Sequence, residues 1–186
     1  MICLSVVLFS RVLPKSVRKP KGQKKVRVQK IFDYPSSMGH YDADVCTFRC
    51  FDDRFTRATE ELERAQGWTH HVDRIVRPGG AKRLICDDPS DPTIDAASCL
   101  DDMQLSVKLH HPKVIAIFLH QECGAYGDAM PKEHDKALEF IAVELRRARE
   151  TIEESGLPCR IRTFAAMFDG IREIDPPFHT VTARSN

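Results

Sequence analysis

Two short runs hold the residue types that do chemistry: Cys50-Phe51-Asp52-Asp53-Arg54 and His120-Gln121-Glu122-Cys123-Gly124. Together they offer two thiolates, one imidazole, and a carboxylate with a guanidinium beside it. Two cysteines and one histidine make a three-ligand zinc set. Such a set leaves a fourth tetrahedral position for water or substrate, which is the stoichiometry of a catalytic zinc rather than a structural one. Each feature also has a plainer reading. Taken singly, Cys50 or Cys123 would pass for an inert core cysteine, since free cysteine is among the most buried residue types. Asp52 and Arg54 alone would pass for a surface ion pair. Their joint occurrence in two motifs favours the metal.

Each motif closes an apolar, β-branched run, 45–51 for the first and 114–119 for the second. Both runs predict strands. Between and after them the chain alternates. Residues 55–66 have helical spacing (Phe55, Ala58, Leu62, Ala65) and stop at Gly67, a C-terminal signal. Residues 72–76 predict a second strand, running into Arg77-Pro78-Gly79-Gly80-Ala81. The acidic, proline-containing stretch 87–95 reads as a surface loop and 96–109 as a helix. Residues 137–154 form a long amphipathic helix with Leu138, Ile141, Leu145 and Ala148 on one face, and 160–164 a last strand. The fold class is therefore α/β, a mostly parallel central sheet flanked by helices. Ligands in such sheets bind beyond the carboxyl ends of strands. Both motifs sit at such ends, and neighbouring parallel strands would bring residues 50 and 120 together.

Composition narrows the function classes. At 186 residues, with 42% hydrophobic and 30% charged side chains, the chain suits one well-buried domain. The net charge of +1 hides an asymmetry: residues 1–30 hold nine basic side chains and no acid, leaving 19 basic against 27 acidic residues elsewhere. The remainder, at a formal −8, argues against nucleic acid as a partner of the folded domain. Residues 1–37 read as a basic arm or tail, solvated or clasping a partner. A targeting or surface-binding tail and a start codon assigned too early are the other readings of that segment. Residues 38–186 read as a single zinc-binding α/β domain. Seven cysteines (3, 46, 50, 86, 99, 123 and 159) are an odd number in a chain far above disulfide-scaffold size. Zinc thiolates need a reducing compartment, so the cytoplasm is expected. No stretch approaches the ~20 apolar residues of a membrane span.

The sequence resembles the beta-class carbonic anhydrases. Cys-x-Asp-x-Arg after a first strand and His-x-x-Cys-Gly after a later central strand are that family's two signatures. Ile75-Val76-Arg77-Pro78-Gly79-Gly80 looks like its Val-Arg-Asn-Ala-Gly segment, and the likeness spans roughly residues 45–170. The resemblance implies Zn²⁺ held by Cys50, His120 and Cys123, with Asp52 and Arg54 as a hydrogen-bonded catalytic pair. It implies reversible hydration of carbon dioxide to bicarbonate and a proton through zinc-bound hydroxide that Asp52 orients. Without Arg54, Asp52 could swing in as a fourth ligand, so an open-to-closed switch is part of the expectation. Gly79, Gly80 and Gly124 would line the substrate pocket, although the two adjacent glycines also suit a plain strand end. A homodimer or higher even oligomer is expected.

This chain departs from the pattern. Asp53 stands where the family has serine, Pro78-Gly79 replaces Asn-Ala, and His120 lies 70 residues after Cys50, a long separation to which the 87–95 loop contributes. These differences keep two alternatives open: a carbonyl sulfide or carbon disulfide hydrolase on the same site, and a catalytically silent zinc-binding domain. Cys46 reads as core, and Cys86, Cys99 and Cys159 have no motif around them. His70, His71, His110, His111 and His134 read as surface histidines, one of which could shuttle protons.

Overall fold

The structure is a computed structural model that describes residues 28–85 and 95–175. The chain divides at Gly39 into two compact units, and every regular element among the described residues lies in the second. In chain order these are β1 (Val45–Arg49), α1 (Thr56–Ala65), β2 (Val72–Val76), α2 (Ala96–His110), β3 (Val114–His120), α3 (His134–Glu154), β4 (Arg160–Met167) and β5 (Gly170–Ile174), with short 3-10 turns at Asp53–Phe55, Gly80–Leu84 and Gly124–Ala129.

The five strands form one sheet in the order β2-β1-β3-β4-β5. β1 runs parallel to β2 and to β3, and β3 parallel to β4. Only β5 is antiparallel, paired with β4. Central parallel strands are covered on both faces, and their sequences lose polar alternation as a result. β3 shows this: after Val114 every residue of Val-Ile-Ala-Ile-Phe-Leu-His is buried. Ile115, Ile117 and Leu119 join Phe48 against Cys99 and Met103 of α2 and Ile141, Leu145, Ala148 and Ile152 of α3. Ala116 and Phe118 face the other way, into a smaller cluster with Val45, Trp68 and Phe164 on the α1 side.

Local signals explain most boundaries. α1 ends at Gly67, in the left-handed region at φ +77°, where its N–H donates to the Arg64 carbonyl. The Asp95 carboxylate accepts from Ser98 N–H at 3.4 Å and caps α2. Two expectations shift. The helix expected over 55–66 opens as a 3-10 turn and becomes α-helical at Thr56, because the Asp52 side chain caps the turn by accepting from Arg54 N–H. The last helix starts at His134, three residues before the start expected at Ala137. β5 went unforeseen: its five residues carry two charges, although Asp169-Gly170 before an apolar residue is a hairpin signal. The 87–95 loop falls almost wholly outside the described residues, as do Cys3, Cys86 and most of the basic arm.

The turn after β2 packs directly on the end of β1. Gly80 sits there at φ +49°, and a Cβ on it would lie 2.7 Å from the Cys50 backbone nitrogen, 3.2 Å from Arg49 C and 3.3 Å from Phe118 O. Backbone cannot retreat as a flexible side chain can. Gly80→Ala should therefore destabilise the fold by about 2–4 kcal/mol, combining left-handed strain with steric overlap. Gly124→Ala, with open space around its added Cβ, should fall within about 1 kcal/mol of wild type. Thermal denaturation of the two variants checks the contrast.

Candidate metal centre

β1 and β3 are neighbours, with Phe48 opposite Ile117, so the chain leaving β1 at Cys50 lies level with the carboxyl end of β3. The ligand atoms of Cys50, His120 and Cys123 all lie within 4.8 Å of one another. His120 and Cys123 are buried and Cys50 is half-buried. To return Cys123 beside His120 the intervening loop turns sharply, placing the non-glycine Glu122 at φ +55°. Strain of this kind persists only where the surroundings enforce it. Here Gln121 anchors the loop: its N–H donates to Ala166 O at 2.9 Å, and its Oε1 accepts from Phe168 N–H at 3.3 Å.

His120 is held in one orientation. Its Nδ1 lies 2.9 Å from the Gln121 carbonyl, which can only accept, so Nδ1 carries the proton. Nε2 is then the lone-pair nitrogen, and it is buried without a hydrogen-bond partner. Buried polar atoms are seldom left so. An imidazole fixed through one nitrogen with the other bare is the arrangement of a metal ligand. The sulfurs agree. Cys123 donates its thiol hydrogen bond to Cys50, which draws the Cys50 pKa down to about 4 against the opposing effect of burial. The same bond, together with burial, pushes Cys123 up. The two sulfurs and the His120 ligand nitrogen lie within 4.8 Å of one another, close enough for one divalent cation to be shared among them. The donor set, two soft thiolates and one neutral imidazole, fits zinc with one position left open.

Beside this group Asp52 and Arg54 form a forked pair. Arg54 Nε donates to Asp52 Oδ1 at 3.0 Å, Nη2 to Oδ2 at 2.8 Å, and the Arg54 backbone N–H to Oδ1 at 3.1 Å. The guanidinium holds the Asp52 carboxyl below the usual carboxylate range. Asp52 Oδ2 stands 3.9 Å from His120 Nε2. Arg54 also reaches the other loop, 3.4 Å from both Glu122 Oε2 and the Glu122 carbonyl, and its guanidinium lies over Phe168 and Phe55. With Arg54 half-exposed, these ion pairs add at most about 1 kcal/mol to stability. Their effect is positional: one side chain ties the two motif loops together.

The glycines divide. Gly80 backs onto the Cys50 main chain, and a Cβ on Gly79 would lie 2.8 Å from Ala125 Cβ. Backbone hydrogen bonds from Asp52 and Gly79 further favour the Cys50 thiolate. Gly124 has open space around it. Cys46 is core, its pKa raised to about 12 by burial. Cys46, Cys50, Cys99, Cys123 and Cys159 are free thiols. His110 is partly buried and bonded to Asp73, not solvated as the sequence suggested, because Asp73 also takes Ser106 and Tyr41. Sequence reasoning passed over Arg49, Gln121 and Glu122. Arg49 alone left a signal, a charged residue ending a strand of buried positions.

A thiolate present above pH ~4 should react at neutral pH. In reduced, metal-free protein, iodoacetamide should label Cys50 at a rate nearly flat from pH 6 to 8. Cys46, buried and with a raised pKa, should stay unlabelled. Mass spectrometry of the digested protein reads both, and loading with zinc should protect Cys50.

Comparison with known proteins bears on the family and the fold. A family model described as "Putative carbonic anhydrase" matches residues 41–165. The beta-carbonic anhydrase CafA of Aspergillus fumigatus superposes with a TM-score of 0.51 at 10% identity, covering 73% of this chain and 76% of that one. Beta-carbonic anhydrase isoform I of Trichomonas vaginalis gives 0.49 at 13% identity, covering 76% and 87%. A carbon disulfide hydrolase gives 0.43 at 12% identity, covering 78% and 86%. No curated protein sequence matches the chain. The Aspergillus structure supports the fold, and the family match takes in both motifs and well over half of the sequence: the chain belongs to that carbonic anhydrase family.

Proposed function

We propose that this protein is a zinc-dependent carbonic anhydrase that interconverts carbon dioxide and water with bicarbonate and a proton. The observation carrying the proposal is the convergence of two sulfurs and a bare, buried His120 Nε2 beside an ionised Asp52. Cys50, His120 and Cys123 would hold the zinc, which when bound lowers the pKa of water towards ~7. The remaining work falls to side chains of this chain. Asp52, kept as a carboxylate, accepts a hydrogen bond from the oxygen nucleophile and turns its lone pair towards the incoming carbon. Arg54 occupies both Asp52 oxygens and holds the carboxylate away from the metal position. Phe55, Phe118 and Ala166 supply apolar wall near His120, suited to a small, neutral, linear substrate.

Such a site needs reduced thiols, consistent with the cytoplasm. Among the described residues no helix is long and apolar enough to cross a membrane. Phe51 and Phe168, 63% and 55% exposed, leave apolar surface beside the site that a second copy would cover in a dimer.

Stopped-flow carbon dioxide hydration on protein of measured zinc content tests the proposal. Wild type should turn over at one zinc per chain. Cys50→Ala should lose metal and turnover together. Asp52→Asn should keep its zinc while kcat/KM falls about 10²–10⁴-fold, the usual contribution of a positioned acid–base group. Zinc-loaded wild type without hydration activity would sink the reading. Turnover of carbonyl sulfide instead would assign the site to that substrate, and inertness to both would mark a silent zinc domain.

A further inference from the structure

Arg49 is the last residue of β1, and it is 9% exposed. A charge so placed is costly unless paired. The other arginines packed against the sheet and its flanking turn meet carboxylates: Arg74 with Glu63, Arg83 with Asp95, Arg162 with Glu173. Arg49 meets none among the described residues. Its Nη1 donates to Thr56 Oγ1 at 2.9 Å, and its Nε is buried with no partner. The side chain lines a cavity whose walls include Cys50, Asp52, His120 and two aromatic rings, Phe55 and Phe118. The cavity volume is ≈ 10 Å³, room for about one water-sized group.

A buried guanidinium with a free donor beside three groups of the metal centre calls for a negative oxygen. We infer that Arg49 is an anion-binding residue of this site, its Nε–H donating to one oxygen of a small oxyanion such as bicarbonate. The cavity's size sets the stoichiometry of the contact: one oxygen enters it, while the rest of the anion stays towards the metal position. Charge balance points the same way. Two thiolates offset a divalent metal, so an anionic ligand brings a negative charge of its own, and Arg54 is already committed to Asp52. Arg49 is the guanidinium that lines this cavity. The inference rests on the proposed function in taking that reaction's product as the ligand.

The test uses cobalt-substituted full-length protein, with bicarbonate titrated against the visible spectrum, and zinc content and thermal midpoint measured on the same variants. Arg49→Met should raise the apparent bicarbonate dissociation constant about tenfold or more, the weight of a hydrogen bond to a charged group, with metal stoichiometry unchanged. Arg49→Lys, which keeps the charge but loses the Nε donor, should fall between. Wild-type affinity in a fully metal-loaded Arg49→Met protein would overturn the inference. Should that variant fail to fold, a crystal structure of the zinc-loaded wild type with bicarbonate decides. A bicarbonate oxygen within about 3.2 Å of Arg49 Nε upholds the inference. Bicarbonate bound with Arg49 Nε on protein or water alone overturns it. Turnover is read separately: a protein without hydration activity that still binds bicarbonate through Arg49 loses the proposed reaction and keeps the subsite, whereas full turnover with Arg49-independent binding does the reverse.

Discussion

The parallel pairing of β1 with β3 is the contact on which the rest depends. Each strand delivers half of the candidate metal-binding group at its carboxyl end, and neither half is sufficient alone. Phe48 opposite Ile117 fixes the register. Because side chains alternate across a strand, a slip of one residue would turn His120 to the other face and separate it from the cysteines. The apolar layers on the two sides are what prevent that slip: Ile115, Ile117 and Leu119 fit only the larger cluster, and Ala116 and Phe118 only the smaller.

Around that pairing, backbone proximity and charge act together. Gly80 lets the turn after β2 press against the Cys50 main chain, so a third strand end closes on the site. Arg54 then spans the two loops, gripping Asp52 on one side and reaching Glu122 on the other. The Arg54 ion pairs contribute little stability by themselves. Together these contacts determine where a carboxylate, two sulfurs and a nitrogen stand relative to one another, and the chemistry depends on that arrangement.

The strands and helices that build the sheet were legible because each carries a period of its own, and the ligand residues because their types are rare and their spacing is local. What escaped reading has a physical reason in each case. β5 has two charged residues among five, and its pairing is a property of the β4 edge it joins rather than of its own sequence. The 3-10 opening of α1 depends on a side-chain cap, since Asp52 accepts from the backbone two residues on. The Glu122 conformation is dictated by the span from His120 to Cys123, not by any preference of glutamate. Arg49 was read only as part of a strand: what sets it apart is that it pairs with no carboxylate among the described residues, and a missing partner is invisible along a chain. His110 was misjudged for a related reason, since its partner Asp73 sits 37 residues away.

The long sequence interval between Cys50 and His120 has a thermodynamic consequence. In the unfolded chain Cys50 is far from the His120–Cys123 pair, so the set exists only once β1 and β3 have paired. A cation that binds it draws the folding equilibrium towards the native state in proportion to the logarithm of its free concentration. Metal supply thereby becomes a determinant of how much folded protein persists. A substitution far from the centre that weakens the sheet could be masked where the cation is plentiful and exposed where it is scarce.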